Sequence, residues 1–154
     1  MTAAGSNNAP ARVPFRAGFL AGDLDDLAAV RLSGSRCRRC GIALFGERRR
    51  CENCAATDVR AEVFRERGTI YSYTVQRFPP PKPNAVPEPW SPRALAWIDL
   101  DGDGPRVMGV IAGDPDNVKI GAGVALRAQV GWVNAEGQEV VDYAFRLTDS
   151  EQVG

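Results

Sequence analysis

The segment CRRCGIALFGERRRCENC, residues 37 to 54, decides how the first third of this chain folds. Cys37 and Cys40 enclose two residues, Cys51 and Cys54 also enclose two, and ten residues lie between the pairs. This arrangement is typical of zinc ribbons, in which four thiolates close tetrahedrally around one metal ion. Because the protein fills all four positions, the sequence predicts a structural Zn²⁺ whose binding contributes folding energy.

Other cysteine chemistry is compatible with the same spacing. Disulfide bridges or a thiol-disulfide redox pair are disfavoured by the cytoplasmic location that we expect for this chain. Iron in a rubredoxin-like centre uses the same four ligands, so the choice between zinc and iron stays open at this point.

The composition limits the possible function. The 154 residues carry 19 basic and 19 acidic side chains, so no global field draws the protein to nucleic acid or anionic membranes. No apolar run approaches the roughly 20 residues that span a bilayer, and the first residues do not resemble a signal peptide. We therefore expect a cytoplasmic protein with no membrane partner. Histidine is absent, which removes Ser-His-Asp and Cys-His catalysis and favours an accessory or binding module over a self-sufficient enzyme.

The chain divides into five predicted parts. Residues 1–14 are expected to be a flexible leader, 15–35 a segment of helix and strand, 36–58 the zinc ribbon, 59–148 a barrel and 149–154 a tail. The short helix is predicted from the helical spacing of Leu20, Leu24, Leu27 and Ala28.

Beyond the cysteines, the pattern changes to short segments rich in β-formers, separated by turn residues. Short strands without long helices between them indicate a mainly β fold, in which a small antiparallel OB-fold barrel follows the ribbon. An SH3-like barrel or a small sandwich is the alternative. The six predicted strands are Val59–Arg65, Thr69–Phe78, Arg93–Leu100, Arg106–Ala112, Val124–Val133 and Val140–Leu147.

The ribbon region is locally basic. Eight arginines lie between Arg31 and Arg60, against Glu47, Glu52 and Asp58. Arg48, Arg49 and Arg50 directly precede Cys51 and are the candidates for contact with phosphate groups. The alternative is a solvated charged face on a small module.

Aromatic residues supply a second group of candidates. Tyr71 and Tyr73 are predicted to share one face of their strand, where they either stack on bases or pack beside the core. Trp97 and Trp132 fall within strand patterns and are predicted to be core residues.

A proline-rich stretch between two predicted strands is the third candidate. Seven prolines between Arg77 and Arg93 exclude a helix or a central strand, which predicts an extended loop. Trp90 lies in this loop, where it either anchors a partner or folds back onto its own barrel.

The order of these features resembles one family, the acyl-CoA-associated proteins in which a rubredoxin-like zinc ribbon precedes an OB-fold. The likeness spans about residues 15 to 147. It departs from the family at Gly46, where proline is often found, and in the loop from Phe78 to Pro92. The matching features are Phe15 and Leu24, the ribbon from Arg36 to Cys54, the strand GTIYSYTV at 68–75, the loop DPDNVKIG at 114–121 and the ending YAFRL at 143–147.

The resemblance implies a non-catalytic subunit that docks on a thiolase-fold enzyme, either a thiolase or an aldolase, and helps to shape its acyl-CoA site. It implies a hetero-oligomer, expected to be α2β2, and a role in degrading aromatic compounds or steroid side chains. In that setting Arg48, Arg49 and Arg50 would meet the CoA phosphates, and the partner would contact the set Trp90, Pro81 and Tyr73. The second hypothesis is a module that binds single-stranded nucleic acid.

Overall fold

A computed structural model describes residues 10–81 and 89–148 of the chain. The predicted tail, and Pro83 and Pro87 of the proline-rich loop, lie outside these residues. Within them, no helix has the length and hydrophobicity needed to cross a membrane.

Five strands form a closed barrel with the strand order of an OB-fold. They are β6 (Arg67–Gln76), β7 (Arg93–Leu100), β8 (Arg106–Ile111), β9 (Gly123–Val133) and β10 (Glu139–Leu147). Strand β6 pairs antiparallel with β7, and β7 with β8, while β8 meets β10 in parallel at Ile111 and Phe145. Strand β9 closes the barrel by pairing antiparallel with both β10 and β6. The prediction of a small β barrel is therefore confirmed.

The ribbon is built on a separate four-stranded sheet. Its strands are β2 (Leu20–Ala21), β3 (Arg31–Cys37), β4 (Ala43–Phe45) and β5 (Val59–Val63). Strand β3 is central, since β2 and β4 pair with it and β5 pairs along its other edge. The strand β3 ends at Cys37, and β4 lies between the two cysteine pairs, so the sheet positions both of them.

The predicted N-terminal helix is wrong. Only a single 3-10 turn, Leu27–Ala29, forms in this segment. Gly22 has a φ of +103°, in the left-handed region that favours glycine, and the Asp23 carboxylate accepts a hydrogen bond from the Asp25 N–H at 2.9 Å. These turns break the helical spacing, and the apolar residues that follow enter strand β3.

The end of the predicted leader belongs to the barrel sheet. Strand β1 (Arg12–Pro14) pairs in parallel with β10 along residues 139 to 141. The Arg12 guanidinium also donates to Glu139 at 2.9 Å and to the Leu24 carbonyl at 3.0 Å. The strand β1 therefore holds the segment before the ribbon against the barrel.

The ribbon and the barrel share one apolar core. Leu32 of β3 and Phe64 are buried together with barrel residues such as Ile98 and Phe145. A chain of aromatic contacts continues this core outward from the ribbon. Ring centroids lie 4.8 Å apart for Phe45 and Phe19, 5.8 Å for Phe19 and Phe15, 5.7 Å for Phe15 and Tyr143, and 5.8 Å for Tyr143 and Phe145.

Candidate functional site

The four cysteine sulfurs form one cluster at the tip of the ribbon. Their Sγ atoms all lie within 4.8 Å of one another, with 3.6 Å between Cys37 and Cys54 and 3.6 Å between Cys40 and Cys51. A tetrahedral zinc centre with Zn–S bonds of about 2.3 Å has sulfur–sulfur edges of about 3.8 Å. The residues therefore fit a four-thiolate metal centre.

The two cysteine pairs are built alike. The Gly41 N–H donates to the Cys37 carbonyl at 3.0 Å, and the Ala55 N–H donates to the Cys51 carbonyl at 2.8 Å. Both residues that follow the second cysteine of a pair have left-handed backbone, with φ of +83° at Gly41 and +66° at Ala55. Each turn thus directs its N–H groups toward the sulfurs.

Hydrogen bonds from the N–H groups of these turns stabilise the thiolate form of the cysteines. The N–H groups of Arg39 and Cys40 donate to Cys37 Sγ at 3.4 Å, and the Asn53 N–H donates to Cys51 Sγ at 3.3 Å. The Ile42 N–H and the Asn53 amide lower the pKa of Cys40 to about 6.

The pKa of Cys54 is shifted in the opposite direction from that of Cys40. Although the Ala56 N–H lowers the pKa of Cys54, burial and the other three thiols together raise it to about 11. Four thiolates at this separation repel one another strongly, and a divalent cation at their centre removes that repulsion. The chemistry of the donor set therefore matches a metal site, and no ligand position is left open.

The three arginines before Cys51 are all exposed, but they differ in their contacts. Arg48 donates to the Phe45 carbonyl at 2.9 Å and lies 3.6 Å from Glu52. Arg50 donates to the Ala55 carbonyl at 2.9 Å. Within the described parts of the chain, Arg49 has no hydrogen-bond or ion-pair partner. Of the three predicted phosphate contacts, Arg49 is the one with its guanidinium fully available.

The two tyrosines of β6 do not share a face. The register between β6 and β7 shifts between Ile70 and Ser72, so Tyr71 is the extra residue of a β-bulge. Tyr71 lies outside the barrel, with the Arg106 guanidinium 3.4 Å above its ring. Tyr73 stands opposite Ala96, whose side chain points into the barrel, although Tyr73 itself is 38% exposed. The alternation that predicted a common face is interrupted by the bulge.

The remaining predicted partner contacts lie near the ends of β6 and β7. Trp90 is half-buried, its indole N–H donates to the Arg77 carbonyl at 3.3 Å, and the Arg93 guanidinium lies 5.0 Å from its ring centroid. Pro81 is exposed. Trp90 thus packs on the ends of its own strands.

Trp97 and Trp132 are not core residues, contrary to the prediction. They are 43% and 41% exposed. Trp132 lies in the exposed end of β9, whereas in β7 the barrel interior is filled by the residues that alternate with Trp97, which include Ala94, Ala96 and Ile98. Small barrels have room inside only for such side chains. The outward-facing positions of β7 mix the charged Arg93 and Asp99 with the apolar Leu95 and Trp97.

The outward-facing apolar residues meet in one groove. Trp97 lies directly opposite Met108, which is 45% exposed, and Leu95 lies directly opposite Val110. A cavity of about 260 Å³ continues this surface. Its lining includes Leu95, Met108, Val110, Trp132, Phe15 and Tyr143.

One acidic residue also lines the groove. Asp142 has a carboxylate oxygen, Oδ1, that is buried without a hydrogen-bond partner among the described residues. Burial raises the pKa of Asp142, although Gln129 and the charge of Arg93 oppose the rise. Among the described residues that line the groove, Asp142 is the only one with a carboxyl group.

The chain is similar to a known protein family, to a characterised relative and to a solved structure. A family model described as the C-terminal OB-fold domain of ChsH2 matches residues 62–129. A DUF35 domain-containing scaffold protein of Methanothermobacter thermautotrophicus is 31% identical over 119 residues, covering 75% of this chain and 84% of that protein. A chain of the solved Ltp2-ChsH2(DUF35) aldolase superposes with a TM-score of 0.55 at 25% identity, covering 76% of this chain and 84% of that chain.

Proposed function

The chain belongs to the family of DUF35 domain-containing scaffold proteins, and we propose that it is a non-catalytic accessory subunit of a thiolase-fold enzyme. Its partner would be a thiolase or an aldolase acting on acyl-CoA thioesters, in the degradation of aromatic compounds or steroid side chains. The likeness to a chain of the Ltp2-ChsH2(DUF35) aldolase carries this proposal.

The residues of the chain support an accessory role. Its sequence holds no histidine, and the four thiolates leave no open metal position where a substrate would bind. Catalytic groups would therefore come from the partner. The expected assembly is an α2β2 hetero-oligomer in the cytoplasm.

In this function the cysteine cluster would hold a structural Zn²⁺. When bound, the ion supplies folding energy and fixes the two turns relative to each other. Cys51→Ser should lose the metal and unfold at least the ribbon. Retention of both metal and fold in that variant would refute the assignment.

The arginines before Cys51 would contact the CoA phosphates. Because Arg49 alone among them lacks an internal partner in the described chain, its loss should weaken CoA-thioester binding by the complex more than the loss of Arg50. If Arg49→Ala and Arg50→Ala both leave the affinity of the complex for CoA thioesters unchanged, these arginines form a solvated charged face and do not contact the phosphates.

Nucleic acid is the competing ligand class, and the barrel gives it little support. OB-folds bind oligonucleotides mainly through the face of their second and third strands, here β7 and β8. That face carries the arginines Arg93 and Arg106, and Arg106 is already paired with Asp99 at 2.6 Å. Phosphate backbones require more free cations than this.

The deciding experiment is a pull-down of the tagged chain from its native cells, with mass spectrometry of bound proteins and metal analysis of the same sample. We expect a near-stoichiometric thiolase-fold protein and about one zinc per chain. Recovery of the chain alone, or with RNA, would overturn the proposal.

A further inference from the structure

The outer face of β7 and β8, together with the adjoining groove, exposes large apolar side chains that the function proposed above leaves unused. Trp97 of β7, Met108 of β8 and Trp132 of β9, which lines the adjoining cavity, are each more than 40% exposed. We define the docking face as Trp97, Met108, Leu95, Val110 and Trp132. Exposed apolar patches rimmed by polar residues mark interaction sites, and tryptophan and methionine are enriched in them.

Each end of the docking face carries an arginine held by an aromatic ring. Arg106 lies over Tyr71, and Arg93 lies over Trp90 with its Nε donating to Gln76 at 3.1 Å. The distance along β7 from Arg93 to Asp99, the partner of Arg106, is six residues, or about 20 Å. Arg106 is neutralised by Asp99, whereas Arg93 has no carboxylate within ion-pair distance among the described residues.

These charges select one kind of occupant. An apolar centre with one unpaired guanidinium at its end fits an amphipathic protein segment that places an acidic side chain beside its apolar residues. A strand of nucleic acid fits poorly, because it needs a row of cations where this face has apolar side chains. A second copy of this chain would bring another Arg93 toward the same apolar surface. The one carboxylate that the described residues place in the groove, Asp142, has its Oδ1 buried and is therefore poorly placed to reach the Arg93 of a neighbouring copy.

We propose that the docking face binds an amphipathic segment of the thiolase-fold partner, with an acidic side chain of the partner at Arg93. This inference rests on the proposed function and locates its interface on the outer face of the barrel, where Arg93 lies over Trp90 of the predicted contact set. The groove beside Met108 receives an apolar side chain of the partner, and Arg93 fixes the orientation of the segment.

The test measures binding between this chain and the thiolase-fold protein identified by the pull-down, both purified. Met108→Glu and Trp97→Glu should each weaken the Kd by about thirtyfold or more, the loss expected of an interface hot spot. Arg93→Glu should slow association and reduce the dependence of its rate on salt.

Ile42→Glu is the matched control, because Ile42 is an apolar residue with 40% exposure on the ribbon, against 45% for Met108. It should change the Kd by less than about threefold. Each variant is first checked for an unchanged thermal midpoint and metal content. Trp97→Ala and Met108→Ala replace any glutamate variant that fails this check, with the same direction expected.

The outcomes separate the interface from the function. Wild-type binding that is unaffected by Met108→Glu and Trp97→Glu refutes the docking face and leaves the accessory role standing. Equal weakening by Ile42→Glu also refutes it and moves the contact to the ribbon. Self-association of the isolated chain that Met108→Glu abolishes would assign the face to a second copy. Absence of any thiolase-fold partner would overturn the proposed function and this inference together.

Discussion

The two turns of the ribbon allow a substitution in one turn to be compared with the opposite substitution at the equivalent position of the other. Gly41 and Ala55 occupy equivalent positions after Cys40 and Cys54, and both have left-handed backbone. Only the second turn places a side chain there. We expect Ala55→Gly to stabilise the zinc-loaded protein and Gly41→Ala to destabilise it.

The magnitude follows from two opposing terms. A non-glycine residue in the left-handed region costs about 1–2 kcal/mol. Glycine costs about 0.5–1 kcal/mol through the additional freedom of the unfolded chain. The difference predicts that Ala55→Gly gains about 0.5–1 kcal/mol and that Gly41→Ala loses a similar amount. A Cβ at Gly41 meets no heavy atom within 4 Å, so the loss is purely conformational.

Chemical denaturation of the zinc-loaded proteins, followed by tryptophan fluorescence, measures these changes as midpoint shifts at constant slope. Ala56→Gly is the matched control, because Ala56 follows Ala55 directly and has no positive φ. It should lose about 0.5–1 kcal/mol, since no strain is relieved. A lower midpoint for Ala55→Gly, or an unchanged one for Gly41→Ala, would refute the reasoning.

Three other substitutions test contacts away from the metal. Glu62→Gln should cost about 1–3 kcal/mol, because Arg36 donates to both Glu62 oxygens at 2.7 and 2.8 Å. The hydrogen bonds from Arg36 hold the pKa of Glu62 below its usual value. The stabilisation from this pair is therefore fully present above the unfolded-state pKa of Glu62 and is lost as the pH falls through the folded-state pKa. Denaturation at several pH values measures this loss. Asp142→Asn should raise the thermal midpoint at neutral pH and have a smaller effect in acid. The reason is that the pKa of Asp142 is raised in the folded state, so the stability of the wild-type protein falls as the pH rises. An equal effect of the substitution at all pH values would contradict this. Gly109→Ala should destabilise the barrel by about 1–3 kcal/mol in denaturant titrations, since its Cβ would lie 2.7 Å from the Phe145 ring, and an unchanged midpoint would show that the ring can move.

Local patterns are sufficient to predict the barrel strands and the clustering of the four cysteines. Alternating apolar residues and turn residues placed the barrel strands within a few residues of their observed bounds, because each strand buries one face. The two cysteine pairs were readable for a similar reason, since a two-residue gap closes a turn with both sulfurs on one side.

The outward face of the barrel could not be derived in the same way. The bulge at Tyr71 inserts one residue into β6 and reverses which later side chains point outward, and no residue type in that strand announces it. Trp97 was assigned to the core on hydrophobicity alone. Its exposure follows from the limited interior volume, which is a property of the closed barrel and of no single strand.

The ribbon influences the barrel through the aromatic chain that connects them. Phe45 lies in β4 between the two cysteine pairs, and its ring centroid is 6.0 Å from that of Tyr143. Tyr143 in turn lines the groove beside the docking face, and its hydroxyl donates to the Met108 carbonyl. A metal ion bound by the four cysteines would hold the two turns on either side of β4, and Phe45 of β4 contacts Tyr143. In the proposed function, such an ion would therefore also support the groove beside the proposed docking face.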